Sequence, residues 1–186
     1  MKRLLPLIAI LLAACTAAPA ATTTPTPSPT IQDCSKIALA DSSASGTDAL
    51  PSITMECLQG SQKIDVSRLR GPMLMPVWAS WCEPCADEMP LMQQFFSAYH
   101  EQVEVLGYSL MDTTEQAIAG SFNWGVTLPS VEDPDGAYRG WLNVQAPPTT
   151  LFIDANGHIV FRKVGAFASL EEVKVAVEQH LGIALS

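Results

Sequence analysis

Residues 73–79 are apolar throughout and lead through Ser80 into Trp81-Cys82-Glu83-Pro84-Cys85. A continuous apolar run of this length, without the alternation of a half-wet strand, reads as a strand buried on both faces. Pro84 lacks the N–H that a first helical turn leaves unpaired, so a helix is expected directly behind the strand, over about residues 84–100. A buried strand that turns into a helix is the building unit of an α/β sheet, and it constrains the fold more than any composition figure. Cys82 then falls at the helix N-terminus, where free backbone N–H groups and the macrodipole favour a thiolate. Cys85, one turn on, is close enough to bond to it and is the less exposed of the two. One accessible attacker and one resolving thiol are what thiol–disulfide exchange requires.

The rest of the chain fits an α/β sandwich. Residues 53–58 and 62–66 around Gly60 read as a hairpin. Residues 103–110 are apolar and β-rich, 114–124 helical, and 128–132 a short strand before the turn Asp133-Pro134-Asp135-Gly136. Residues 149–154 and 158–164 flank Asn156-Gly157, a type I′ hairpin signal. Ser169 followed by Glu172 is a capping box that opens a last helix ending near Gly182. Pro90 should bend or restart the first helix. The order predicts a central mixed sheet.

The chain starts with Lys2 and Arg3, then a short apolar stretch over residues 4–14, then Cys15. Residues 1–14 read as a signal peptide, and no apolar run reaches the ~18–20 residues of a spanning helix. Leu12-Ala13-Ala14-Cys15 resembles the lipobox of bacterial lipoproteins, which implies acylation of Cys15; the alternative is an ordinary cleaved signal with Cys15 incidental. Residues 16–30 consist of Thr, Ala, Pro and Ser and form a tether, residues 41–48 are again small and polar, and order is expected from about Leu50. The division is thus 1–14, 15–49 and a domain over 50–186. A formal net charge of −9 disfavours nucleic acid. Five cysteines leave an odd one in an oxidising compartment, and Cys15 accounts for it. Cys34 and Cys57 are expected to form a structural bridge; two free thiols or a second redox pair are the alternatives.

Other chemistries for Cys82 and Cys85 fit less well. Zinc needs two more ligands, and Cys34 and Cys57 lack the paired spacing. Copper carriage would need a partnering His, for which only His158 presents itself. A purely structural bridge over two intervening residues would constrain little chain.

Residues 77–85, Val-Trp-Ala-Ser-Trp-Cys-Glu-Pro-Cys, followed by Glu88-Met89-Pro90, resemble the thioredoxin superfamily. Within it they are similar to the membrane-anchored extracytoplasmic thiol–disulfide oxidoreductases of the TlpA/ResA/DsbE group, and Pro148-Thr149-Thr150-Leu151-Phe152-Ile153-Asp154 with Asn156-Gly157 resembles that group's cis-proline strand and hairpin. The resemblance implies a thioredoxin-like three-layer sandwich with an added N-terminal β-hairpin. It implies Cys82 as attacker, Cys85 as resolving thiol and Pro148 as the cis-proline beside the disulfide. It also implies Trp81 as an aromatic flank, the alternative being a core Trp, and Glu88 as the acid that tunes Cys85, the alternative being a surface helix charge. The chain departs from the pattern at Pro76, where many thioredoxins carry a buried acid, and at Pro147, which has no N–H to offer a substrate strand.

The implied activity is thiol–disulfide exchange on protein substrates at the outer face of the cytoplasmic membrane, through a lipid anchor, with a membrane protein as electron donor or acceptor and no cofactor or metal. Glu83 beside Cys82 opposes a thiolate and leans the pair towards reduction, of the cytochrome c maturation type. A disulfide-forming oxidase, a copper-chaperone or redox-sensor module and, last, a thiol peroxidase are the other readings.

Overall fold

A computed structural model describes residues 30–185. The expected signal peptide, Cys15 and the tether up to residue 29 lie outside the described residues. Within them the order is β1 (Thr54–Cys57), β2 (Lys63–Asp65), β3 (Met73–Trp78), α1 (Glu83–Tyr99), β4 (Glu104–Val105), β5 (Gly107–Leu110), α2 (Thr114–Trp124), β6 (Ser130–Asp133), β7 (Thr149–Ile153), β8 (Ile159–Val164) and α3 (Leu170–Leu181). The sheet runs β2-β1-β6-β5-β3-β7-β8, with β4 beside β3. β3 is parallel to β5 and antiparallel to β7, and β5 is parallel to β6. This is a thioredoxin-like mixed sheet, widened at one side by the β1–β2 hairpin. No helix of the described residues is long and apolar enough to cross a membrane.

The crossovers β3–α1–β5 and β5–α2–β6 step the same way along the sheet. Such connections are right-handed, so both helices fall on one face. There Leu74 and Trp78 of β3 and Phe152 of β7 pack against Met89, Met92 and Phe95 of α1, Ala117 of α2, and Val173 and Val177 of α3. The other face gathers Met73, Met75, Val77, Tyr108, Leu151 and Ile153 under Ile37, Leu50, Leu142 and Val144. Its cover is therefore irregular chain, not helix. Every residue of β3 is buried, as its unbroken apolar run requires. α1 continues through Pro90 without a break, because Met89, Met92 and Phe95 hold both of its halves to one core.

Pro76 finds its explanation in the register. Glu104 and Leu106 donate N–H groups to the carbonyls of Pro72 and Leu74. Alternation aims the nitrogen of Pro76 to that same side, at the gap between the end of β4 and the start of β5. The absent donor coincides with the interruption of the ladder, and on the β7 side Pro76 faces Thr150 without needing an N–H.

Two expectations change. The β7–β8 turn is not type I′: Gly157 has φ 79° but Asn156 is not in the left-handed region. The Asp154 carboxylate accepts from the N–H groups of Asn156 and His158, and the Gly157 N–H closes on the Asp154 carbonyl, so the turn begins one residue earlier than Asn156-Gly157 suggests. Burial also begins well before Leu50. Ile31, Cys34 and Ile37 are buried, Gln32 N–H donates to the Thr127 carbonyl, and Cys34 is disulfide-bonded to Cys57 of β1. Arg68 and Arg70 donate to the carbonyls of Ala40 and Ser42, which ties the polar lead-in to the domain.

Candidate active site

The turn after β3 places Cys82 at the N-cap of α1 with Pro84 in the first turn, and no side chain caps the helix. Cys82 is bonded to Cys85. Cys82 retains 4 % exposure while Cys85 retains none, so an incoming thiol meets Cys82 first. Trp81 is 57 % exposed and its indole N–H donates to the Met111 carbonyl at 3.0 Å. It belongs to the surface next to the disulfide, not to the core. Met111 is exposed beside it.

The peptide bond between Pro147 and Pro148 is cis. Thr149, the next residue, pairs with Val77 near the end of β3 that leads into the redox turn, so topology carries Pro148 to the same end of the sheet as Cys82. The Pro148 carbonyl accepts from Gly165 N–H at 3.0 Å. A second cis bond, Gly71–Pro72, lies at the opposite end of β3 and was not legible beforehand. A side chain at residue 71 would stand 1.8 Å from the Ile153 carbonyl oxygen, which explains the glycine.

Glu88 is fully buried rather than on the helix surface. One carboxylate oxygen accepts from Phe167 N–H at 3.1 Å, and the other has no hydrogen-bond partner. Burial pushes the carboxyl up from 4.5 to about 7, while the Phe167 N–H and Lys163 pull it down and Glu172 adds to the rise. Lys163 donates to the carbonyls of Gly165 and Ala166. The segment 163–167 thus touches both Glu88 and Pro148. An open cleft lined by Pro84, Asp87, Leu91, Ala166, Phe167 and Ala168 flanks the first turns of α1.

Glu88 has a consequence for stability. Below about pH 4.5 the carboxyl is neutral in both folded and unfolded chains and costs nothing. As pH rises the unfolded chain ionises first, so the folded state loses ground until pH passes about 7, where the penalty is complete. The penalty is on the order of 3 kcal/mol. Glu88→Gln keeps an acceptor for Phe167 and removes the titration. Its stability relative to the unchanged chain is expected to rise between pH 4.5 and 7.5. Parallel urea-unfolding curves at those two pH values check this, and an unchanged difference would contradict it.

Asp112 carries no sequence motif, and reasoning from sequence missed it. It is 3 % exposed and accepts two hydrogen bonds from Ser80, from the N–H and the hydroxyl, each at 2.6 Å. The available signal was an acid placed directly after a buried strand. His158 lies beyond the far end of β7, near Asp154 and the Ser45 carbonyl, and the fold does not bring it to Cys82. Among the described residues no three His, Cys, Asp or Glu side chains converge to hold a metal. Cys34 and Cys57 belong to the core cluster on the opposite face of the sheet from Cys82 and Cys85.

Residues 47–162 match the AhpC/TSA family. The thiol-disulfide oxidoreductase ResA of Oceanobacillus iheyensis is 34 % identical over 120 residues, 60 % of this chain and 61 % of that protein. The thiol:disulfide interchange protein DsbE of Xylella fastidiosa (strain 9a5c) is 38 % identical over 96 residues, 51 % of this chain and 48 % of that protein. The chain thus spans about half to three fifths of the length of these relatives. Among solved structures, a secreted Mycobacterium tuberculosis disulfide oxidoreductase homologous to E. coli DsbE superposes with a TM-score of 0.57 at 21 % identity, covering 67 % of this chain and 92 % of that one.

Proposed function

This chain belongs to the AhpC/TSA family, and from that premise we propose that it is a thiol–disulfide oxidoreductase working on protein substrates through Cys82 and Cys85. The observation that carries the reading is the Cys82–Cys85 disulfide at the N-cap of α1, at the sheet end that also holds cis Pro148. The ResA and DsbE names of the relatives support it.

In the reducing direction the Cys82 thiolate attacks one sulfur of a substrate disulfide. A mixed disulfide forms and the other substrate sulfur leaves as a thiolate that takes up a proton. Cys85, deprotonated, then attacks the Cys82 sulfur, re-forms the internal disulfide and releases the second substrate thiol. The substrate leaves as a dithiol and the protein as a disulfide, so electrons balance. Glu88, three residues after Cys85 and held at about 7, is the group suited to take the Cys85 proton at neutral pH. Trp81 and Pro148 form the surface against which the substrate lies. Pro147 contributes a carbonyl but no N–H to that surface.

The direction proposed is reduction. Glu83 opens α1 and its charge opposes the Cys82 thiolate, which makes the pair a weaker oxidant. The disulfide between the haem-attachment cysteines of apocytochrome c is the proposed substrate type, with Cys15 as lipid anchor, an extracytoplasmic location and a membrane protein as electron donor. Equilibration with glutathione measures the potential. A value near ~−270 mV fits a reductase, and one near ~−120 mV would reverse the direction. Consumption of peroxide in place of protein disulfides, or tight binding of one copper ion per chain, would turn the reading to a peroxidase or a metallochaperone.

A further inference from the structure

Two consecutive residues at the end of β5 grip the two residues that precede Cys82. Asp112 binds the backbone and the hydroxyl of Ser80 with both carboxylate oxygens, each at 2.6 Å. Met111 gives its carbonyl to the Trp81 indole and does so from φ 57°, a left-handed backbone that a methionine rarely adopts. α2 closes the third side. A Cβ on Gly120 would stand 2.9 Å from the Ser80 Cβ, so only a glycine lets the helix backbone approach the turn this closely. A strained residue, a glycine contact and a two-pronged carboxylate therefore converge on one turn, a density of constraint that an ordinary loop does not need.

The carboxylate also brings charge. The charged groups on the elements around the turn are Glu83, Asp87 and buried Glu88 on α1, Asp112 after β5, Glu115 in the first turn of α2, Arg139 beside the Met111 sulfur, and Lys163 on β8, which is turned to the carbonyls of Gly165 and Ala166. Among these, Asp112 is the one hydrogen-bonded to the turn itself, and it is almost wholly out of water, where screening is weak. We propose that Asp112 is a positioning residue for the redox turn, and that its negative charge, held two residues from Cys82 through Ser80, opposes the Cys82 thiolate and biases the pair towards reduction. The proposal rests on Cys82 being the attacking thiol.

The test is the pH dependence of iodoacetamide alkylation of the reduced full chain, with the modified cysteine located by peptide mass. Asp112→Asn keeps the shape and removes the charge. Its Cys82 inflection is expected about one pH unit lower, a rise of up to about tenfold in thiolate fraction at pH 7. Ser80→Ala removes one donor from the same carboxylate and leaves its charge, so its inflection is expected at or above that of the unchanged chain. A merely structural clamp would move both variants the same way. An unmoved Asn variant, or a downward shift in Ser80→Ala, overturns the proposal, and the latter arm decides it alone should Asp112→Asn not fold. Alkylation mapped first to Cys85 would overturn the attacker assignment and this proposal with it, whereas an unmoved inflection at Cys82 overturns this proposal only.

Discussion

Cys82→Ser is expected to bring protein-disulfide reduction to background, a loss of at least ~10³-fold, because a serine hydroxyl is not ionised at neutral pH and cannot replace a thiolate as attacker. Cys85→Ser is expected to behave differently. Cys82 can still attack, but nothing resolves the adduct, so the protein should accumulate as a mixed disulfide with its substrate. The asymmetry follows from position: Cys82 caps the helix and keeps a trace of exposure, while Cys85 is sealed beneath it. Intact mass under non-reducing conditions distinguishes the two variants. An adduct on the Cys82→Ser protein, with none on Cys85→Ser, would reverse the roles assigned to them.

Removing the other bridge should leave exchange intact and damage the fold. The Cys34–Cys57 disulfide closes a loop of sequence separation 23. In the chain-entropy model such a loop contributes about 3–4 kcal/mol by restricting the unfolded chain. Both sulfurs are buried, so serines in their place would add polar atoms to a core cluster. The double variant Cys34→Ser/Cys57→Ser is expected to unfold at about 2 M less urea, for an unfolding slope of about 1.5–2 kcal/mol/M. Its turnover on a protein disulfide, measured well below that midpoint, should match the unchanged chain. A midpoint within ~0.3 M of the original would show that the bridge does not hold the lead-in against the sheet.

The sheet and the redox turn were legible because their signals are local. An apolar run marks β3, a proline in the first turn marks α1, and Ser169 with Glu172 marks α3. The strand positions of β5, β6, β7 and β8 follow from apolar, β-rich runs and the turn residues between them in the same way. What escaped depends on partners distant in sequence. Asp112 acquires meaning only when β5 lies beside β3 and brings it to Ser80. Burial of Glu88 depends on the segment 165–167 returning across α1, which helix periodicity alone does not reveal. The lead-in looked like linker because Ile31, Cys34 and Ile37 are spread among polar residues; a disulfide and two arginines from elsewhere hold it down. Pro76 looked like a fault in a central strand until the register showed the ladder interrupted beside it.

The two disulfides lie on opposite faces of one sheet. If the chain works as proposed, one disulfide cycles with substrate while the other stays oxidised. The eight strands act as insulation between these two requirements. A substrate docked at Cys82 lies across the sheet from Cys34 and Cys57, so on the proposed function the bridge that fastens the lead-in is out of its direct reach. On that reading one bridge serves as a working contact and the other as a permanent weld.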